Sequence, residues 1–180
     1  MRQRVVVRRR GERVLIRPPT PADRTAYRTA ARASRSLLWP WVQLPEDDAG
    51  FDMLLRRNQD PSTVVSLICR IDDGALVGGC NINNIVRGAM LGASIGYHGF
   101  VGQVRGGLVT EGVGLVVDHA FAELGLHRLE ANIQPDNRAS VALVRRLGFR
   151  LEGFSPAFLH IAGAWRDHER WAILAEDRRP

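Results

Sequence analysis

A loop with two adjacent glycines is the first feature whose residue types could do chemistry. Gly106 and Gly107 follow an extended segment and precede a run, residues 109–124, in which apolar side chains recur at helical spacing. Glu111 falls in the first turn of this helix, where a carboxylate suits the positive end of the dipole. A glycine loop that feeds a helix directs backbone N–H groups outward, and a phosphorylated ligand is their natural partner. The pattern therefore predicts a phosphate-binding loop.

A strand, a turn and a second helix follow this first helix along the chain. Residues 128–134 predict the strand, and Pro135 begins the turn. Asn137 is well placed to cap the short second helix, and Ser140 brings a hydroxyl group into its first turn. The predicted order is therefore strand, glycine loop, helix, strand, helix.

The remaining segments predict the sheet and the helices that must position these residues. β-branched and apolar runs alternate with turn residues, and Gly99 and Gly102 mark a bend at the edge of one strand. The predicted strands are 13–17, 62–71, 76–86, 90–99, 128–134, 158–161 and 169–174. Helices are predicted from Thr20 to about Ala33 and over 47–57, with a loop over 36–45.

Composition and charge limit the class of protein. The chain has 180 residues, 45% of them hydrophobic, which indicates one domain with its own core. No apolar run approaches the roughly 20 residues that a membrane span needs. The charged first ten residues lack the apolar core of a signal peptide, which predicts a cytoplasmic protein. The expected organisation is a basic segment at 1–12, one domain at 13–175 and a loose tail at 176–180.

The net charge of +6 favours anionic ligands, although an arginine-rich solvated surface explains it equally well. Aromatic residues are not interleaved with the basic ones, so nucleic-acid binding is not expected as the main activity. Cys69 and Cys80 lie on neighbouring predicted strands and are expected to be free core thiols rather than a disulfide. The sequence shows no cluster of Cys or His residues that predicts a metal site.

Several ordered pieces of the sequence resemble the acetyl-CoA-binding core of the GNAT N-acetyltransferase superfamily. Within it the chain looks most like the RimJ/RimL branch, whose members acetylate protein N-termini and related acceptors. The pieces that carry this resemblance are Ile95-Gly96-Tyr97, the loop from Gln103 to Glu111, Asn137-Arg138-Ala139-Ser140, Leu147-Gly148-Phe149 with Glu152-Gly153, and the stretch from His160 to His168.

The resemblance implies a GNAT fold of mixed α/β (α+β) class. Its central, mostly antiparallel sheet would splay between the fourth and fifth predicted strands, with about four helices around it. Acetyl-CoA would be the cofactor, and its pantetheine arm would lie in the gap. The arm would bond the main chain of Tyr97, His98, Gly99 and Phe100.

The resemblance also implies that the glycine loop holds the pyrophosphate, through the family motif Gln/Arg-x-x-Gly-x-Gly/Ala. An alignment on Gln103 places Leu108 where glycine or alanine is expected, whereas an alignment on Glu111 places Arg105 at the first glycine. The register of the loop therefore stays open. The residues expected to bind the phosphates are Gln103, Val104, Arg105, Gly106, Gly107 and Leu108.

By the same resemblance, Asn137 would contact the pantetheine arm and Ser140 would be the general acid. Many members of the superfamily use a tyrosine four residues after this serine, and Val144 stands there. The base that deprotonates the acceptor amine stays open among several side chains and water. His98 and His160 are the histidine candidates, Glu130 and Glu152 are the carboxylate candidates, and Asp167-His168 could equally stabilise a turn.

The acceptor implied by the resemblance is the α-amino group of a protein N-terminus. A small-molecule amine is the alternative within enzymes, and a non-catalytic acyl-CoA-binding module is the alternative outside them. Leu38, Trp39 and Trp41 are expected either to form the wall of the acceptor cleft or to pack within their own loop. Dimers are common in the RimJ/RimL branch, so a homodimer is a further expectation by analogy.

Overall fold

An open sheet of eight strands forms the centre of the protein, whose structure is a computed structural model that describes residues 6–178. The strands are β1 (Arg9–Arg10), β2 (Val14–Arg17), β3 (Val64–Arg70), β4 (Leu76–Val86), β5 (Gly92–Gly99), β6 (Arg128–Ile133), β7 (Arg150–Ile161) and β8 (Ala164–Leu174). The helices are α1 (Arg24–Leu38), α2 (Asp48–Arg57), α3 (Leu108–Ala122) and α4 (Arg138–Arg146), with short 3-10 turns at Pro21–Asp23 and Ala175–Asp177. Parts of the basic segment and of the tail, at 1–5 and 179–180, lie outside the described residues.

Strand pairing confirms the mixed α/β class and the splayed sheet. The spatial order is β1-β2-β3-β4-β5-β6-β8-β7, and every described pair is antiparallel except β5 with β6. β5 and β6 pair only from Gly92 to Ser94, opposite Arg128 to Glu130. Beyond that point the two strands diverge. They are the fourth and fifth of the predicted strands, because the short strand β1 was not expected.

Each face of the sheet carries its own core. On one face α3 and α4 pack against the strands, and Val113 and Val117 of α3 are fully buried there. On the other face α1 and α2 cover β3, where the rings of Tyr27 and Phe51 lie 5.4 Å apart. Apart from the contact of Tyr27 with His98 of β5, the helices of this second face leave β5 to β8 open to ligands.

Close approach of α3 to the sheet depends on one glycine. A Cβ atom added to Gly112 would lie 2.4 Å from Cγ2 of Ile68, which is itself fully buried on β3. A larger residue would therefore push the helix away from the strand. The glycine fixes the distance between the start of α3 and the splayed edge of the sheet.

Three predicted boundaries were wrong. Helix α1 continues to Leu38 instead of ending near Ala33, so residues 36–38 are helical rather than loop. The helix ends there because Pro40 disfavours a helical residue before it, and Trp39 is extended. Strands β7 and β8 are also longer than predicted, because they pair with each other around two bulges.

Two further features concern the thiols and the helices. Among the described residues, Cys69 and Cys80 are free and buried, and they face opposite cores, as the sequence analysis expected of core thiols. None of the helices described for residues 6–178 is long and apolar enough to cross a membrane.

Candidate active site

The divergence of β5 and β6 opens into a cleft of about 660 Å³ on the face that α1 and α2 leave free. β4, β5, β6 and β8 form its floor, the segment 41–45 and α2 form one wall, and the start of α4 closes one end. Such a volume falls in the range of ordinary small-molecule sites. The cleft therefore lies where the sequence analysis expected the pantetheine arm.

The main chain at the splayed edge is only partly available to a ligand. Beyond Ser94, the edge of β5 that faces β6 has no ladder partner in the described sheet, so its polar groups are open to a ligand that runs along the strand. Phe100 is an exception among the predicted residues. Its N–H donates to the carbonyl of Val77 at 2.9 Å, and its carbonyl accepts from the N–H of Gln103 at 3.0 Å. The pairs of an antiparallel ladder alternate, so His98, which lies opposite Gly79, also directs its main chain toward β4, and Tyr97 and Gly99 face the open edge.

The glycine loop presents the N-terminus of α3. Gly106 and Gly107 have φ angles of 82° and 81°, a left-handed conformation that side chains resist. Gly107 is the N-cap, and the first intrahelical bond runs from the N–H of Glu111 to its carbonyl at 2.9 Å. The N–H groups of residues 108–110 therefore precede the hydrogen-bonded part of the helix and are available to an anion. This arrangement fits a pyrophosphate.

Arg13 and Glu111 anchor the loop from behind. Glu111 Oε1 accepts from the main-chain N–H of Arg13 at 2.8 Å, and Oε2 accepts from its guanidinium at 2.9 Å. The same guanidinium donates to the carbonyl of Gly106 at 2.8 Å. Burial opposes ionisation of Glu111, but the hydrogen bonds from Arg13 and Val14 outweigh it and hold the pKa of this carboxyl below its usual value. The sequence analysis placed Glu111 in the first turn and missed its partner, which is 98 residues away.

At the other end of the cleft, Ser140 is held by its main chain. Its N–H donates to Oδ1 of Asn137 at 3.2 Å, which makes Asn137 the N-cap of α4 as predicted. Its carbonyl accepts from the hydroxyl of Tyr97 at 3.2 Å, a bond that joins β5 to α4 across the splay. Both groups of the Ser140 backbone are thus bonded, and the residue lines the cleft. Val144 is fully buried in the core below it.

His98 lies in the cleft but in an apolar setting. Its ring packs edge-on against Phe100 at 5.2 Å and against Tyr27 at 6.4 Å between centroids. Its Nε2 atom is buried and has no hydrogen-bond partner. Burial lowers the pKa of His98 to about 4, so the ring is neutral at physiological pH and only weakly basic.

The candidate carboxylates lie outside the cleft. Glu130 and Glu152 both bond the guanidinium of Arg128, Glu130 at 2.8 Å and Glu152 at 2.5 Å. Within residues 6–178, neither an Asp nor a Glu side chain lines the cleft. The two predicted carboxylate candidates therefore form a surface ion-pair network with Arg128.

Of the two histidines near the C-terminus, His168 lines the cleft and the predicted candidate His160 does not. His160 is exposed and packs on the ring of Trp165 at 5.5 Å, while its neighbours Leu159 and Ile161 line the cleft. His168 on β8 is 2% exposed and lines the cleft. The two histidines thus lie on opposite faces of the β7–β8 pair, and which face each takes depends on the bulges in β7, which could not be predicted from the sequence.

The predicted wall of the acceptor cleft is only partly there. Trp41 and the residues up to Pro45 line the main cleft. Leu38 and Trp39 instead line a separate cavity of about 400 Å³ between α1 and the segment that follows it. Trp39 is 52% exposed.

Comparison with known proteins identifies the class. A family profile described as an acetyltransferase (GNAT) domain matches residues 13–150. A probable N-acetyltransferase of Bacillus subtilis is 42% identical over 105 residues, which are 58% of this chain and 58% of that protein. The chain thus spans less than two thirds of the length of that relative. The chain belongs to the GNAT acetyltransferase family.

Two further similarities cover most of the chain. The [ribosomal protein uS5]-alanine N-acetyltransferase of Escherichia coli is 30% identical over 170 residues, 88% of this chain and 87% of that enzyme. The structure of Mycobacterium smegmatis RimJ in complex with CoA-disulfide superposes with a TM-score of 0.84 at 31% identity, covering 93% of this chain and 84% of that one. The expected GNAT fold and the RimJ/RimL resemblance are confirmed. The protein is an N-acetyltransferase that uses acetyl-CoA, and the glycine loop and the open strand edge fit that group.

Proposed function

We propose that this protein transfers the acetyl group of acetyl-CoA to the α-amino group of a protein N-terminus. The observation that carries the proposal is the similarity to the uS5-alanine N-acetyltransferase, which extends over 88% of this chain. The relative named for spermidine acetylation matches only 79 residues, 41% of this chain. A cytoplasmic location is part of the proposal, and two free buried thiols agree with it.

The charge of the cleft supports a peptide over a polyamine. Spermidine is a polycation, and its recognition calls for carboxylates that compensate each charge. Among the cleft-lining residues of the described chain, the formally charged side chain is Arg57, whose guanidinium bonds Asn83 at 2.8 Å. Apolar and amide side chains supply most of the remaining surface. A peptide end with a single ammonium group fits this lining better.

Three parts of the chain would have separate roles in the reaction: binding the phosphates, binding the pantetheine arm and donating a proton. Acetyl-CoA supplies an activated acyl group, its thioester. The N–H groups after Gly107 would hold the phosphates, and the open edge of β5 would bond the arm. The hydroxyl of Ser140 would donate a proton to the leaving sulfur, which needs stabilisation rather than strong acid.

A panel of acceptors tests the proposal. Peptides with a free N-terminus, the same peptides with a blocked N-terminus and an internal lysine, and spermidine would each be incubated with acetyl-CoA. Free thiol gives the rate, and mass spectrometry locates the acetyl group. We expect transfer to the free α-amino group. Transfer confined to spermidine or to lysine would refute the proposed acceptor. If none of the acceptors caused release of thiol, acetyl transfer to amines would be refuted.

A further inference from the structure

His168 is a buried histidine to which the proposed reaction has given no role. Its side chain is 2% exposed, yet it lines the cleft in which the acceptor would bind. The edge of its ring faces the ring of Phe158, with 5.8 Å between centroids. A polar ring kept at the floor of a cleft, with an aromatic neighbour that restricts its rotation, is held in one orientation.

The hydrogen bond of His168 sets its tautomer. Nδ1 lies 2.9 Å from the main-chain oxygen of Arg166, two residues earlier on β8. A carbonyl oxygen can only accept, so Nδ1 carries the proton in the neutral ring. Nε2 is then left with a free lone pair, which can accept a proton from a donor in the cleft.

Asn132 stands beside His168 on the same face of the sheet. It pairs with Arg170 across β6 and β8, and residues two apart on a strand share a face, so Asn132 and His168 are diagonal neighbours. Both line the cleft. Oδ1 of Asn132 is buried and has no hydrogen-bond partner. An acceptor oxygen without a donor, next to a basic nitrogen, is the environment that an ammonium group would complete.

The other candidates for the base are less suitable. The cleft lining within residues 6–178 contains no carboxylate. His98 lies against two aromatic rings, and burial holds its pKa near 4, which makes it a poor match for deprotonation of an amine at neutral pH. His160 is on the opposite face of β7. His168 is the remaining cleft side chain with a suitable lone pair.

We propose that His168 Nε2 accepts the proton of the acceptor ammonium while Asn132 Oδ1 holds that group in place. This inference rests on the proposed acetyl transfer. The ammonium gives one proton to Nε2, and its nitrogen then forms the C–N bond with the thioester carbon. The C–S bond breaks, the sulfur takes a proton from the Ser140 hydroxyl, and Ser140 recovers one from the nitrogen. His168 returns its proton to solvent, so the sum is amide, thiol and one released proton.

The groups that share the face of His168 are few. The charged and titratable ones are Arg166 and Arg170 of β8, the ion-pair network of Arg128, Glu130 and Glu152, and His98 of β5. Asn132, Gln134 and Ser155 are the polar neighbours. Burial lowers the pKa of His98 to about 4, and the hydrogen bond from Arg128 lowers the pKa of Glu152. Glu130 is ion-paired with the same arginine. A loss of activity near neutral pH that depends on residue 168 therefore reports on His168.

The test replaces His168 by asparagine, whose side-chain N–H can keep the bond to the Arg166 carbonyl while no basic nitrogen remains. Transfer would be measured with the acceptor from the panel that wild-type protein uses best. We expect kcat to fall by about 100-fold or more, a typical effect of a lost general base, with unchanged affinity for CoA. The acid limb of the wild-type kcat profile should disappear. His127→Asn, at an exposed histidine that pairs with Glu176, is the matched control and should keep wild-type rates.

Several outcomes would overturn the inference. If the His168→Asn protein has a kcat within threefold of wild type, or an unchanged acid limb in its kcat profile, water or His98 deprotonates the acceptor amine instead. If this variant fails to bind CoA, His168→Gln gives the same test with the amide near the Nε2 position. Ring ¹⁵N spectra of the wild type provide a readout without turnover, and a proton on Nε2 of the neutral ring would contradict the proposal. Wild-type transfer to small amines alone would refute the protein acceptor but still test His168.

Discussion

The proposed catalytic role of Ser140 can be tested separately from its structural role, because the two use different groups of the residue. Its main-chain N–H and carbonyl are bonded to Asn137 and Tyr97, so the fold depends on its backbone more than on its hydroxyl. Burial raises the pKa of the Tyr97 phenol, which therefore stays a hydrogen-bond donor over the whole physiological range. The hydroxyl of Ser140 is left for the cleft.

Replacement of Ser140 by alanine should therefore affect turnover and little else. We expect kcat to fall on the order of 100-fold, the usual effect of a lost donor to a developing negative charge, with CoA affinity and melting temperature near wild type. Ser36→Ala, at an exposed serine of α1, is the control. Steady-state kinetics and a CoA titration measure the two quantities. Full activity in the Ser140→Ala protein would show that the leaving sulfur of CoA does not take its proton from the Ser140 hydroxyl.

Residue-level prediction from the sequence succeeded where the signal was local. Asn137 caps α4 three residues before Ser140, a spacing that helix geometry alone dictates. His168 failed to stand out because its place in the cleft depends on pairing with β6 and β7, including two bulges. The Arg13–Glu111 contact was missed for the same reason, since it joins residues 98 positions apart.

Helix α3 is the element on which the proposed binding of the cofactor phosphates depends most, and hydrogen bonds join its start to Arg13 and to Val14 of β2. The carboxylate of Glu111 takes three hydrogen bonds from Arg13 and Val14, and Arg13 in turn bonds the Gly106 carbonyl. That carbonyl is drawn toward Arg13. The result is that strand, loop and helix form one anchored unit, and the N–H groups of the loop are preorganised before a ligand arrives.

Glu111→Gln should weaken this unit in a way that depends on pH. The pKa of Glu111 is lowered in the folded protein, so its charge contributes stability above the pKa of the unfolded chain. That contribution is lost as pH falls through the folded value. We expect the variant to lose about 1–2 kcal/mol of unfolding free energy at pH 7, and to bind CoA several-fold more weakly.

Denaturant unfolding at pH 7 and again below pH 4 measures this effect, and the difference between variant and wild type should shrink at the lower pH. Glu123→Gln is the matched control at the C-terminal end of α3, because its carboxylate is 44% exposed and contributes little. An equal loss in both variants, or a loss independent of pH, would contradict the role given to Glu111.

Prediction of elements was most accurate where periodicity and turn residues agreed. β4 was placed correctly at Leu76–Val86, because a hairpin turn precedes it and glycine follows it. The end of α1 was misplaced because the prolines of the next segment suggested an earlier loop. The two-residue strand β1 has no local pattern at all, and it exists only because β2 lies beside it.

At the scale of the whole molecule, the two faces of the sheet differ in what covers them. α3 and α4 bury one face, and the glycine loop lies at its edge. α1 and α2 cover only part of the other face and leave the cleft open. A ligand that spans the loop and the splayed strands would contact β5, the start of α3 and α4. Its binding energy would then stabilise the fold as a unit.

CoA should therefore raise the melting temperature through mass action on the native state. At a free concentration 100 times its Kd the gain is about 2.7 kcal/mol, which for a chain of this length corresponds to roughly 5–10 °C. Gly106→Ala should abolish most of this shift, because the added methyl group would occupy the open space of the loop that is proposed to hold the phosphates; φ at this residue is 82°. Gly74→Ala is the matched control: its φ is 74°, it too has open space around the added atom, and it lies in the β3–β4 turn.

Both variants accept the same backbone strain, about 1–2 kcal/mol for a left-handed residue other than glycine, so their melting temperatures without ligand should fall by similar amounts. Only the response to CoA should separate them. Differential scanning fluorimetry with and without CoA gives both quantities in one experiment. If Gly106→Ala keeps the full shift, the phosphates do not bind at this loop, since the strain common to both variants would already have been accounted for by Gly74→Ala.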